Sequence, residues 1–238
     1  MTDNFTKYFT CLICCFTISV SIAKAQTPVM CFDKNCIDTN YYAAFGNNKI
    51  IPTEIREQVL FALTCYPELR DTKIIFRFRE KITPLSSRPK FTSAFKKKLH
   101  RTYVITISTK SNNKFSPIVF SKLPFNAQIG VLGHELAHVA DFNEKSSWQL
   151  IGLSLKMFNT KFVDRFEFNT DHICINHGLG YQLYDWSKYV RTALDIKEWK
   201  GAETDYSSEK DIPDKQRYMN PETIEKYIAS NAIYKNVK

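Results

Sequence analysis

The 238-residue sequence has no internal repeat and no low-complexity block, so it describes neither a repeat array nor a biased linker. Its basic residues gather into a tight cluster only at Lys96-Lys97-Lys98 and are otherwise scattered. The formal net charge of +9 therefore reads as a solvated basic face, which allows a weak attraction to a membrane surface but marks no specific nucleic-acid patch. An all-cysteine zinc site brings its ligands in close pairs, and only one loose pair, Cys31 and Cys36, is present. The apolar stretch from Tyr8 to Ile22 is too short to span a bilayer comfortably, since a spanning helix needs ~20 apolar residues. None of Cys11, Cys14 and Cys15 follows the Gly or Ala that lipid attachment favours, which argues against a lipoprotein.

What remains is an ordinary globular balance of 44% hydrophobic and 24% charged side chains. Lys7, the apolar run and the exit Ala23-Lys24-Ala25 have the layout of a secretory signal peptide, with cleavage expected after Ala25. This predicts an exported chain, periplasmic or secreted; a retained membrane anchor is the alternative. Loss of Lys7, Lys24 and Asp3 lowers the net charge by one and leaves the chain basic. Cys31, Cys36, Cys65 and Cys174 stay, an even count compatible with two disulfides, and Cys31 with Cys36 can close a small loop. Their pairing is not written in the sequence.

Residues 26–48 form a polar, cysteine-bearing segment, and 49–238 are expected to form one domain. Ile55, Val59, Ala62, Leu63 and Tyr66 recur at helical spacing, which predicts a helix over Thr53–Tyr66 stopped by Pro67. Strand patterning marks Lys73–Glu80 and Arg101–Ser108, joined by a polar link through Pro84, Ser86, Ser87 and Pro89, with a short third strand at Ile118–Phe120. From Pro124 the pattern turns helical: Pro124–Phe142, Ser146–Phe158, Lys161–His177 ending at Gly178, and Tyr181–Leu194. A polar loop over 200–217 precedes a last helix opened by Asn220-Pro221-Glu222. Strands followed by helices predict an α+β fold, with a small antiparallel or mixed sheet packed on the helices.

The chemistry is concentrated in His134-Glu135-Leu136-Ala137-His138. Residues four apart share a helix face, so both imidazoles can aim at one point, and that point suits zinc. Glu135 beside the first histidine can take a proton from an attacking water and return it to a leaving amine. A third ligand is needed, and Asp141, His172, His177 and Glu167 compete for it. Asp141 lies ~4.5 Å farther along the helix axis than His138 and better suits an orienting role. Glu167 is the strongest candidate, because it lies on a separate helix with Asp171 one turn later on the same face, where an acid can fix a histidine tautomer. Gly130 and Gly133 can let another backbone approach the catalytic helix.

His134-Glu135-x-x-His138 followed by Arg165-Phe166-Glu167-Phe168-Asn169-Thr170-Asp171 resembles the gluzincin peptidases, whose motifs are HExxH and ExxxD. The likeness is to the small minigluzincins and to the catalytic core of the CAAX-prenyl-endopeptidase type, and it covers roughly Tyr103 to Gly180. It implies a zincin-like fold, the sheet packed on an active-site helix and a second ligand-bearing helix, and zinc on His134, His138 and Glu167 with Asp171 behind a ligand histidine. It also implies that the strand near Tyr103–Ser108 is the edge on which an extended peptide pairs. Thr170 stands where a small alanine commonly precedes the aspartate in the membrane group, and that group's multiple membrane spans are absent. Gluzincins often use Tyr or His to stabilise the oxyanion; His177 and Tyr181 rank slightly above His172 and Tyr184 for that role. The expected activity is zinc-dependent hydrolysis of peptide or protein substrates, with a zinc-bound pseudo-peptidase serving as a binding module as the alternative. Oligomeric state is not legible.

Overall fold

The computed structural model describes residues 28–32, 43–196 and 218–235. The expected signal peptide, Cys36, most of the 26–48 segment and the 200–217 stretch lie outside the described residues.

A four-stranded mixed sheet has the order β1-β2-β4-β3, formed by β1 (Lys49–Ile50), β2 (Lys73–Arg79), β3 (Leu85–Pro89) and β4 (Thr102–Ser108). β1 and β4 run parallel to β2, and β3 pairs antiparallel with β4, placing Leu85 opposite Ile107 and Pro89 opposite Tyr103. β4 is interior, and its residues from Tyr103 to Ser108 are buried on both faces. The sheet edges are therefore β1 and β3, with β3 beside β4, which corrects the expectation that Tyr103–Ser108 is the edge on which an extended peptide pairs. β3 was expected to be a polar link; an exposed edge tolerates serine and proline because one side of its backbone makes no ladder bonds. Ile118–Phe120 is not a strand. It lies across two single 3₁₀ turns, Ser116–Ile118 and Phe120–Lys122, the first containing Pro117, which has no N–H to give a ladder.

The helices are α1 (Arg56–Thr64), α2 (Phe125–Glu144), α3 (Ser147–Lys156), α4 (Thr160–Cys174), α5 (Gly180–Ala193) and α6 (Pro221–Ser230). Mixed strands and helices make an α+β fold, as the sequence pattern predicts. Local signals set several boundaries. Ser146 and Gln149 form a capping box at the start of α3, and Asn220 accepts from the Thr223 N–H at the start of α6 with Pro221 following. Gly178 takes φ 88° between α4 and α5, a left-handed conformation that glycine adopts without a Cβ clash.

α2 is the hub, buried continuously from Ile129 to Ala140, and it packs on α1, α4, α5 and β3. The close approach of α5 depends on Gly130: a Cβ there would stand 2.1 Å from the Gln182 carbonyl oxygen. At Gly133 a Cβ would meet Leu179 Cδ1 at 2.5 Å and Cys174 Sγ at 3.1 Å. On the other side of the helix bundle, Gln58 of α1 donates to Gln128 of α2 at 2.7 Å. Cys65 and Cys174 are buried free thiols, and Cys31 is an exposed one, so no disulfide joins the described cysteines.

Candidate metal centre

The HExxH spacing puts His134 and His138 one turn apart on α2, and α4 crosses it so that Glu167 reaches both. The Glu167 Oε2 atom lies 3.1 Å from His134 Nε2 and 3.2 Å from His138 Nε2. The two imidazoles are buried and the carboxylate nearly so, and together they form a group that can hold a metal ion. Three ligands at the 2.0–2.2 Å bond lengths of tetrahedral zinc stand about 3.3 Å apart, close to the two separations from Glu167, and all three ligand atoms lie within 4.8 Å of one another.

The protons explain why such a contact is not self-sufficient. Asp171 Oδ1 lies 2.7 Å from His134 Nδ1, and the second oxygen of Asp171 accepts the Met219 N–H at 2.8 Å. A buried carboxylate beside Nδ1 holds the ring proton there. Thr170 does the same for His138 by a different route. Its hydroxyl donates to the Phe166 carbonyl at 2.8 Å, so its oxygen is left to accept from His138 Nδ1 at 3.1 Å. Both Nε2 atoms then face Glu167 as bare acceptors, and three acceptors in contact require a cation, or a proton in its absence, between them. Stacking of His138 on Phe166 at 5.0 Å and Phe142 at 5.9 Å fixes its ring plane.

Electrostatics follow this geometry. Burial disfavours charge on His134, but its bonds to Asp171 and Glu167 outweigh burial and raise its pKa well above the ordinary value. Burial likewise works against ionised Glu167, and the two histidines overcome it to hold that carboxyl below the usual range. For Asp171 burial prevails over His134 and the net direction is upward. Burial also raises Glu135, opposed by His138, His134 and Ser87. Glu135 Oε2 is buried with no hydrogen-bond partner among the described residues.

Glu135 and His134 open onto a cavity of about 280 Å³. Its walls are largely apolar, with Leu85, Ile118, Val131, Trp186 and Val190, and Tyr218 closes one side. The Tyr218 and Trp186 rings lie 5.6 and 5.8 Å from the His134 ring.

Comparison of the chain with protein-family models, with curated proteins and with solved structures finds no match. Four of the expected residues, His134, His138, Glu167 and Asp171, come together with Glu135 beside them. The others are placed elsewhere. His177 stacks on Tyr66 at 4.2 Å, with Nδ1 on the Ile173 carbonyl at 2.8 Å and Nε2 on Glu68 at 2.9 Å. Tyr181 packs edge-on to Tyr234 at 5.3 Å, and neither it nor His177 lines the cavity. Asp141 pairs with Lys145 one turn along α2 rather than with a site histidine. His172 lies against Tyr227, and Tyr184 carries Lys188 over its ring. The sequence reading missed the role of Thr170, although Glu167, Thr170 and Asp171 share one helix face by their i, i+3, i+4 spacing. Tyr218 carried no signal at all, since it follows a polar stretch far from both motifs.

Proposed function

We propose that the chain is a zinc-dependent peptidase of gluzincin type. Zinc held by His134, His138 and Glu167 would supply a Lewis acid that polarises a peptide carbonyl and lowers the pKa of water. Glu135 accepts the proton of the attacking water and delivers it to the departing amine nitrogen as the C–N bond breaks. Its burial without a partner on Oε2, at the mouth of an apolar cavity, is the single observation that carries this reading. Asp171 and Thr170 keep the Nδ1 protons in place so that both Nε2 lone pairs stay directed at the cation. Tyr218 takes the oxyanion-stabilising role expected of His177 or Tyr181, because it is the phenol that lines the cavity. β3, the sheet edge between the cavity and solvent, receives the substrate backbone in extended form.

The test is Glu135→Gln in the full chain, assayed with a peptide library and by metal analysis. Retained zinc with cleavage abolished supports the reading; cleavage at the wild-type rate sinks it.

A further inference from the structure

The charge of this chain is unevenly spread. Between Glu80 and Glu135 there is no Asp or Glu, while ten lysines and arginines fall in that interval. From Lys145 to Val163 there is again no acid, with three lysines. Parts of these stretches, residues 87–101 and 145–157, are far apart in sequence and share one surface. Phe91 and Phe95 from the first, and Ile151 and Met157 from the second, line an apolar groove of about 360 Å³. A second groove adjoins it, sharing Phe95 and Ser147, and is lined by Lys96, Lys97 and Lys98.

Six large apolar side chains carried by these two segments or directly after them are exposed: Phe91, Phe95 and Leu99 on the loop, Trp148, Leu155 and Phe158 on and after α3. The least exposed, Phe95, is 64% accessible and the most exposed, Phe158, is 90%. α3 is apolar on two faces. Leu150 and Leu153 are buried against the protein, whereas Trp148 and Leu155, spaced i, i+7, are exposed on a second face, with half-buried Ile151 between them at i+3. Isolated exposed hydrophobics are ordinary, but a contiguous group rimmed by one charge sign marks an interaction surface.

The surface is also preformed. Buried Arg101 donates to the carbonyls of Lys96 and Lys145 and to Ser147 Oγ, and that hydroxyl donates to the Ala94 carbonyl, which ties the loop to the start of α3. The nearest acid, Glu144, is occupied by Lys98 at 3.2 Å.

We propose that this surface docks the protein on an anionic bilayer, with the aromatic and aliphatic side chains entering the headgroup layer and the lysines meeting lipid phosphates and carboxylates. Aromatic anchors with a basic rim suit that environment. A second copy of the chain fits poorly, because self-pairing would oppose two lysine-rich rims. A single-stranded nucleic acid accounts for the aromatics but not for Leu99, Ile151, Leu155 and Met157, which offer no stacking plane. No helix among the described residues is long and apolar enough to cross a membrane. β3 joins this surface to the cavity, with Thr83, Pro84 and Leu85 at the cavity and Ser87, Arg88 and Pro89 at the apolar groove. At ~3.4 Å per residue, docking brings the cavity within roughly 15–20 Å of the lipid. The inference rests on the surface alone and stands or falls independently of the peptidase reading.

The experiment is co-sedimentation of the full chain with phosphatidylcholine vesicles, with and without phosphatidylserine, at low and high salt. Binding should require phosphatidylserine and weaken at high salt by about tenfold or more. The triple variant Phe91→Ser, Trp148→Ser, Phe158→Ser alters only exposed side chains and should retain its circular dichroism while losing binding by about tenfold or more. Lys96→Glu with Lys97→Glu should do likewise. Absence of binding to phosphatidylserine vesicles, equal binding to both compositions, or unchanged binding by the triple variant would overturn the proposal. So would a single-stranded oligonucleotide bound through this surface, or a dimer abolished by the triple variant, in a protein that ignores vesicles.

Discussion

Two titratable clusters of this fold solve the burial of histidine in opposite ways. At His177 both ring nitrogens face acceptors, the Ile173 carbonyl and the Glu68 carboxylate, so an imidazolium completes every bond. At His134 and His138 the Nδ1 protons are already committed to Asp171 and Thr170, and the Nε2 atoms share one carboxylate oxygen. The first cluster is completed by a single proton and partly exposed; the second is buried and can hold a metal ion. Residue type alone does not separate them. Where the ring protons go does.

The sharpest way to break the comparison is to remove a ligand. His138→Ala, and separately Glu167→Ala, should abolish equimolar zinc binding measured by elemental analysis, while His177→Ala should leave it intact. Next in size is Glu135→Gln, expected to lower kcat by about 10²- to 10⁴-fold with metal content unchanged. Asp171→Asn, followed by Thr170→Val, should weaken zinc affinity by roughly 100- and 10-fold in chelator competition, because each releases one Nδ1 proton from its partner. Equal affinities in wild type and both variants would mean that tautomer control plays no part.

The smallest effect belongs to His177. His177→Gln should cost about 1 kcal/mol in denaturant unfolding, given a half-exposed ion pair and one ring stack. Burial opposes charge on His177, but Glu68 and the Ile173 carbonyl outweigh it and raise its pKa. A raised folded-state pKa means that this stability is complete below the ordinary histidine value near 6.5 and is lost as pH rises through the folded-state value. The wild-type minus variant difference should therefore shrink toward alkaline pH; a difference that grows would reverse the assignment.

Much of the site was legible because helical spacing is a strong local rule. His134, Glu135 and His138 share α2, and Glu167 and Asp171 share α4, so only one helix crossing was left for tertiary structure to supply. Gly130 was readable for the same reason, and its contact with the Gln182 carbonyl shows why a methyl group there should destabilise the fold by about 3 kcal/mol. The sheet was less legible. β3 holds its place through backbone pairing with β4, and a backbone ladder leaves little imprint on a sequence such as Leu85-Ser86-Ser87-Arg88-Pro89. His177 misled because its partner Glu68 is distant in the chain. Tyr218 reaches the cavity through a tertiary path that no spacing rule encodes.

His134, His138 and Glu167 form a group that can hold a metal ion, and zinc is the ion the proposed function requires. Elemental analysis of the full chain purified without chelators, alongside Glu167→Ala, tests this assignment most directly. Equimolar zinc in the wild type and none in the variant is the expected result; a metal-free wild type that also fails to take up added zinc would contradict it.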